Sequence, residues 1–407
     1  MTVHVAGAGM AGLAAALTAA RAGHRVVVHE AAAGAGGRCR SFFDPGMDRT
    51  LDNGTHVVLG ANRAARDFLS AVGGDGVLSD ATGGALPFMD LARGARWHVD
   101  IRRSAARALL ACGGVRGLTA VLGLVLMPPR GASVAAAYGR LGTVYGRLIK
   151  PFATAVLNQS AEAAPAVELA AVFRRLSLGG RGALAPYLAP RSLSRDWIDP
   201  ALSALKALGA EFRYHDPLTA IEVEDGALRA GTFRTGAVPV GRGDALILAL
   251  PPWSLRFLSP HLALPPHETG AIICAHFLVS PPPRLAQGAV LMGMTGATAE
   301  WIAVRDDVLS VTVSAAERLL EMEAPAIAAL LWREAVAALG IKGAALPPHR
   351  VIKERRATAR VAGGLKPRSG ISGLLIAGGW SDRAYPDTIE TAVRSGIEAA
   401  HCLAPPV

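Results

Sequence analysis

The apolar pattern of the first thirty residues switches from strand-like to helix-like and back. Val3-His4-Val5-Ala6 is a short apolar run of the kind a buried strand shows, and Gly7-Ala8-Gly9-Met10-Ala11-Gly12 breaks it. An alanine-rich stretch to Arg21 predicts a helix. A second apolar run, Arg25-Val26-Val27-Val28-His29, then ends on Glu30. Strand, glycine turn, helix, strand and acid form the context that a dinucleotide fingerprint requires. Gly7 permits the tight turn, Gly9 lets the backbone approach a pyrophosphate, and Gly12 lets helix and strand pack closely. Met10 and Ala11 open the helix, whose free N–H groups and positive dipole end suit phosphates. Glu30 stands where a carboxylate accepts hydrogen bonds from the adenosine ribose.

Further along, residues 210–214 and 218–224 with the Asp225-Gly226 turn predict a hairpin-like unit. The run 244–250, closed by Pro251-Pro252, predicts a buried strand, and 271–279, 301–304 and 309–313 predict three more. Residues 324–339 predict a helix. The stretch from Leu374 ends in the turn Gly378-Gly379 and leads to a helix expected to start near Thr388 and Ile389. Pro281-Pro282-Pro283 and Pro347-Pro348 mark loops, and no internal repeat is present.

The second glycine cluster selects the dinucleotide. Gly36-Gly37-Arg38 follows Glu30 almost directly, where it lets the backbone double back past a second phosphate or ribityl chain beside a guanidinium. Taken alone it also fits a flexible Gly/Ala loop. In series with the first cluster it resembles the N-terminus of the FAD-dependent amine oxidase and phytoene desaturase superfamily. That resemblance implies FAD and an α/β fold: a Rossmann-like FAD domain of the glutathione-reductase type, interleaved with an α+β substrate domain. The FAD domain is expected from 1–88, 208–258 and 351–407, and the substrate domain from 89–207 and 259–350.

The resemblance assigns further positions. Gly54, Thr55 and His56 fall in the step beside the isoalloxazine, and Leu218 and Pro251 belong to the returning segment. Gly378, Gly379, Thr388 and Ile389 form the closing motif, whose helix aims its N-terminus at the flavin pyrimidine edge and so stabilises the reduced, anionic ring. Gly379 departs from the pattern: the superfamily commonly has Asp or Glu there. A lost charge-assisted hydrogen bond at this point is worth roughly 1.5–3 kcal/mol.

Glu354-Arg355-Arg356-Ala357-Thr358, Thr388-Ile389-Glu390 and Ala155-Val156-Leu157-Asn158 narrow the likeness to the squalene-associated FAD-dependent desaturases, assigned as hydroxysqualene dehydroxylases of bacterial hopanoid synthesis. The likeness covers both ends of the chain strongly and the middle loosely. It implies reduction of the apolar allylic alcohol hydroxysqualene to squalene. A polyene desaturase, running hydride the other way, is the alternative, and a flavin amine oxidase the second. Against the last, Thr388 stands at the cage-aromatic position and no lysine occurs between Thr269 and Leu339. A lipid carrier with a vestigial nucleotide fold is the non-enzymatic alternative. His56 and Asp382 are the proton-donor candidates, although a satisfied core histidine and a loop-capping aspartate are their structural readings. The physiological electron donor is not read from the chain.

With 407 residues, 51% of them apolar and 18% charged, the chain has room for two domains sharing one cofactor. The strand expected from Val3 leaves no room for a signal peptide. No apolar run reaches the length of a membrane span. Cys39, Cys112, Cys274 and Cys402 form no CxxC or metal spacing, which suits a reducing cytoplasm and argues against a disulfide scaffold or a zinc site. Ten basic residues between Arg93 and Lys150 oppose Asp100 alone, giving +9 of the net +10. Within this window, residues 117–129 are apolar and bracketed by Arg116 and Arg130, as in a monotopic anchor on the inner face of the cytoplasmic membrane. A buried helix with a solvated basic rim explains the same pattern. The patch has no interleaved aromatics and no nucleic-acid motif, so nucleic acid is not expected as a partner.

Overall fold

The computed structural model describes residues 1–101, 108, 128, 131–255, 264, 266–341, 345–361, 368–382 and 385–405. Five parallel strands form one sheet, in the order Glu211–Arg213, Arg25–His29, Thr2–Ala6, Ala245–Leu248, Leu374–Ile376. Val3 pairs with Val26 on one side and with Ala245 on the other. The strand order therefore reverses beside the first strand, and the crevice at the carboxyl end of such a switch point is where open α/β sheets bind ligands.

Side-chain alternation gives this sheet two buried faces. Val3, Val5, Val26 and Val28 pack with the helices Met10–Arg21, Asp199–Ala207 and Ile389–His401. Ala6, Leu246 and Leu248 pack on the other face with Leu228 and Phe233 of a three-stranded antiparallel sheet, Leu218–Glu224, Ala227–Phe233 and Gly236–Pro239. Two histidines share that face. His29 stacks on Phe233 with ring centroids 3.7 Å apart, its Nδ1 lies 2.7 Å from the buried Asp216 carboxylate, and its Nε2 lies 3.2 Å from Nδ1 of His4. Burial, and then the neighbouring His29, push His4 down to about 4, so the ring is neutral in the native state.

The hairpin differs from expectation. Residues 211–213 join the parallel sheet as its edge, and the antiparallel pair is 218–224 with 227–233, turning through Asp225 and Gly226 at positive φ. Both runs are apolar enough to be strands, but local pattern does not say which sheet a strand joins.

A second sheet has seven strands, in the order His349–Val361, His267–Leu278, Val308–Val313, Trp301–Arg305, Leu291–Thr295, Ala85–Asp90, Ala95–Asp100. The helix Ala324–Leu339 buries Ile327, Leu331 and Trp332 in the same core as Phe277, Leu309 and Val311. The divisions expected at 88 and 351 fall inside strands of this sheet. The hairpin Ser41–Asp44 and Arg49–Asp52 ties the two halves of the molecule together. Arg49 pairs with Asp307 at 2.6 Å, Arg305 with Asp52, and Nε2 of His276 lies 3.0 Å from the Asp52 carbonyl.

Glu300 is a buried carboxyl in this second half. Burial pushes it up to about 7, against the hydrogen bond it accepts from the Ser314 amide at 2.8 Å. The unfolded chain releases this proton near 4.5, so stability falls as pH rises from 4.5 to about 7 and stays lower above that. Glu300→Gln keeps an acceptor for Ser314 without the charge. It is expected to raise the melting temperature by several degrees at pH 8 and to change it little at pH 4.5, as read by calorimetry.

Candidate cofactor and active site

The two N-terminal glycine clusters interlock. Gly7 has φ +103 and donates its N–H to the His29 carbonyl at 2.7 Å, and a Cβ there would lie 2.5 Å from the Ala249 carbonyl oxygen. A Cβ at Gly12 would overlap the Gly7 carbonyl oxygen and lie 3.2 Å from the Ala249 side chain, so the first helix packs against its strand with no room to spare. The Gly36 amide donates to the Ala8 carbonyl at 2.8 Å, Gly9 and Gly36 form a parallel bridge, and a Cβ at Gly37 would lie 3.3 Å from the Gly9 Cα. Gly36 and Gly37 both have positive φ, which glycine adopts without strain.

The carboxylate of Glu30 accepts hydrogen bonds from the Ala8 amide at 2.7 Å and the Ala32 amide at 2.8 Å, bracing the glycine turn from the second strand. Arg38 is likewise engaged by protein. Its Nη1 donates to the Ala357 carbonyl at 2.5 Å and to Oδ2 of Asp387 at 2.7 Å, and its Nη2 donates to Oδ1 of Asp387 at 3.2 Å. Burial alone would lower the guanidinium's pKa. The Asp387 carboxylate, through charge and hydrogen bonds, and then Glu354 offset that and leave it raised. Arg38, expected as a guanidinium beside a second phosphate or ribityl chain, is in the structure a clamp that joins this loop to the C-terminal segment.

The closing segment matches the predicted outline. Leu374–Ile376 is the edge strand, the Gly378 amide donates to Ser395 Oγ at 2.9 Å, and Trp380 Nε1 donates to the Leu250 carbonyl at 3.0 Å. Leu250 directly precedes Pro251, and Leu218 opens the antiparallel sheet on the same side of the molecule. The last helix begins at Ile389 with Thr388 as its N-cap, in a capping box with Thr391. Its Glu390 is buried and accepts from the Ala65 amide and from Arg175.

Gly54, Thr55 and His56 follow the hairpin strand Arg49–Asp52. Nδ1 of His56 lies 3.2 Å from the Gly54 carbonyl, and the ring borders a small open pocket of about 40 Å³ with Thr55, His276, Arg305 and Ser310. Burial, with the Arg38 charge behind it, holds His56 below its usual pKa, so the imidazole is neutral near pH 7. Asp382 is ion-paired with Arg394 and accepts from the Tyr385 amide at 3.2 Å, the arrangement of a loop-capping carboxylate.

The glycine trough fits a flavin dinucleotide. Gly9 is the N-cap of the first helix and brings no side chain, no acid occupies the first turn, and a Cβ at Gly9 or Gly54 would meet nothing within 4 Å. The helix dipole and its unbonded N–H groups therefore face open space lined by backbone.

The flavin containing amine oxidoreductase family matches this chain over residues 10–404. The chain belongs to that family. It is an FAD-dependent oxidoreductase. Within the family it is 35% identical to a hydroxysqualene dehydroxylase of Sinorhizobium fredii, across 98% of this chain and 97% of that protein. It is 36% identical to a hydroxysqualene dehydroxylase of Rhodopseudomonas palustris, with the same coverage. Putrescine oxidase bound to putrescine has the same fold, with a TM-score of 0.75 at 17% identity and 98% of each chain covered.

Among the described residues no group of side chains could hold a metal, and no helix is long and apolar enough to cross a membrane. The apolar segment 117–129 lies outside the described residues except for Pro128. The pattern of the sequence gives Trp380, Asp387 and Glu390 only as members of the closing stretch, without the long-range contacts they make. Asp387 carries one local signal, an acid directly before a helix N-cap, but its partner lies 349 positions away.

Proposed function

We propose that this oxidoreductase converts hydroxysqualene to squalene. The observation that carries this reading is the 35–36% identity, along nearly the whole chain, to two hydroxysqualene dehydroxylases. Gly7, Gly9, Met10, Ala11 and Gly12 hold the pyrophosphate, and Glu30 meets the adenosine ribose. Gly36, Gly37 and Arg38 shape the turn over the ribityl side. Gly54, Thr55, His56, Leu218, Pro251, Gly378, Gly379, Thr388 and Ile389 surround the ring end.

FAD, when reduced, supplies the hydride. The chain's residues have to exclude water, hold the substrate hydroxyl and deliver the proton with which that hydroxyl leaves as water. His56 suits the last two tasks better than Asp382. At rest it is a neutral imidazole on a pocket wall with one ring nitrogen at the Gly54 carbonyl, so it must first take up a proton from solvent, as imidazolium, before it can give one to the hydroxyl, whereas Asp382 is engaged by Arg394. His56→Gln is expected to lower turnover about 100-fold or more with flavin content unchanged. Asp382→Asn is expected to lower the melting temperature instead. Equal turnover in wild type and His56→Gln would remove His56 from the chemistry.

The substrate's insolubility and the basic window also support peripheral contact with the inner face of the cytoplasmic membrane through residues 93–150. Anionic vesicles should float the protein in a salt-dependent way, and deletion of 117–129 should abolish it. Undiminished flotation of the deletion would refute the contact. The activity itself is tested by incubating anaerobically photoreduced enzyme with hydroxysqualene, phytoene or putrescine and analysing products by mass spectrometry. Squalene from the first alone supports the proposal. Oxidation of phytoene or putrescine without squalene formation refutes it.

A further inference from the structure

The turn at Gly379 and the residue eight positions later occupy one another's space. A Cβ at Gly379 would collide with Oδ1 of Asp387 and lie 3.0 Å from Oγ1 of Thr391 and 3.1 Å from the Thr388 carbonyl oxygen. Any side chain at 379 is therefore incompatible with Asp387 as it stands. The Asp387 side chain is only 2% exposed, and all its observed partners are donors: Arg38 through both Nη atoms, and the Ala359 amide at 3.0 Å. Its carboxylate thus joins three separate pieces of the molecule, the Gly-Gly-Arg loop, the strand His349–Val361 of the second sheet, and the segment leading into the last helix. A buried carboxylate with charged and backbone donors on it is held by good geometry and would not be tolerated without them.

We propose that Asp387 is a positioning residue for the flavin: it supplies from position 387 the carboxylate that a side chain at 379 would otherwise supply, and Gly379 is glycine to make room for it. The two positions form one shared carboxylate site, filled from either side but not from both. With Asp387 in place, Arg38 is oriented, the Gly36-Gly37 turn is held against Gly9, and the last helix is presented at a fixed angle. The lower cofactor affinity that Gly379 implies in isolation is thereby offset. Asp387 acts on the cofactor through Arg38 and the loop.

This inference rests on the cofactor positions proposed above but not on the substrate. Wild-type protein that bound FAD yet left hydroxysqualene unchanged would remove the substrate proposal and leave this one standing. The test measures the FAD dissociation constant of the apoprotein by flavin fluorescence, together with the melting temperature without FAD. Four variants are compared with wild type: Asp387→Ala, Asp387→Asn, Gly379→Asp and the double variant Gly379→Asp/Asp387→Ala. Each single change is expected to weaken FAD binding by about tenfold or more, the loss of a charged hydrogen bond. Asp387→Asn, which keeps the shape, separates charge from folding. The double variant is expected to return to within about threefold of wild type, a non-additivity that only a shared site produces. A double variant no better than the product of its single changes would overturn the proposal. So would Asp387→Ala or Asp387→Asn that binds FAD like wild type with only its apoprotein melting temperature lowered.

Discussion

Gly12→Ala is expected to leave the protein without bound FAD and destabilised by about 3 kcal/mol or more. The added methyl would have to share space with the Gly7 carbonyl oxygen, which is backbone held by the strand, with the Ala249 side chain closing the other direction. Neither neighbour can rotate away as a flexible side chain would. Relief requires the helix Met10–Arg21 to move off the sheet, and that movement withdraws its N-terminus from the trough and opens the core formed by Val3, Val5, Leu13 and Ala16. Gly9→Ala is the informative contrast. Its Cβ would point into open space, so the apoprotein should melt as wild type does while FAD binding falls. Calorimetry of apoprotein and flavin absorbance after gel filtration separate the two effects. Wild-type flavin content in Gly12→Ala would contradict the close packing described.

Arg38→Ala is the second large effect. It removes both guanidinium donors from a carboxylate that is almost fully buried, leaving its charge with the Ala359 amide alone. Breaking a buried pair from one side costs about 3–5 kcal/mol. The lower end applies here, because the Arg38 side chain itself is 33% exposed. Flavin retention should fall at least about 100-fold, since the same change frees the loop at Gly36 and Gly37. Arg38→Lys keeps the charge but not the two-pronged geometry, and should recover only part of the loss. Stability and FAD affinity near wild type in Arg38→Ala would show that the clamp is dispensable.

The local parts of this site were legible in the sequence, and the pairings across the chain were not. Glycines at 7 and 12 announce a turn and a close packing because only those geometries need them, and the structure has Gly7 at positive φ and Gly12 packed against the Gly7 carbonyl. Thr388 was placed at a helix start, and it is the N-cap. Arg38, by contrast, reads locally as a guanidinium beside a second phosphate or ribityl chain, and the pattern says nothing of a carboxylate partner. Its partner Asp387 reaches it only after the fifth parallel strand and the last helix are assembled. The vacancy at Gly379 was visible, but what fills it was not. The strand at 211–213 was assigned to a hairpin for a related reason: an apolar triplet states that it is a strand but not which edge it will find. His4 and His29 sit inside apolar runs that already read as buried strands, and the contacts of His4 with His29 and of His29 with Asp216 follow from which strands pair.

The fold is common to amine oxidases and to this chain, so the glycine trough cannot by itself choose the reaction. The sequence departs from the amine-oxidase pattern at Thr388, which caps the last helix, and in the stretch from 269 to 339, which carries no lysine. The measurement that bears most directly on the central claim is a single turnover in deuterated water. Enzyme reduced anaerobically, in which the flavin N–H has exchanged, is mixed with hydroxysqualene while flavin reoxidation is followed by absorbance. Hydride transfer from the flavin gives squalene carrying one added deuterium, formed in step with reoxidation of one flavin. Squalene without deuterium, or no squalene while the reduced flavin persists, would contradict it.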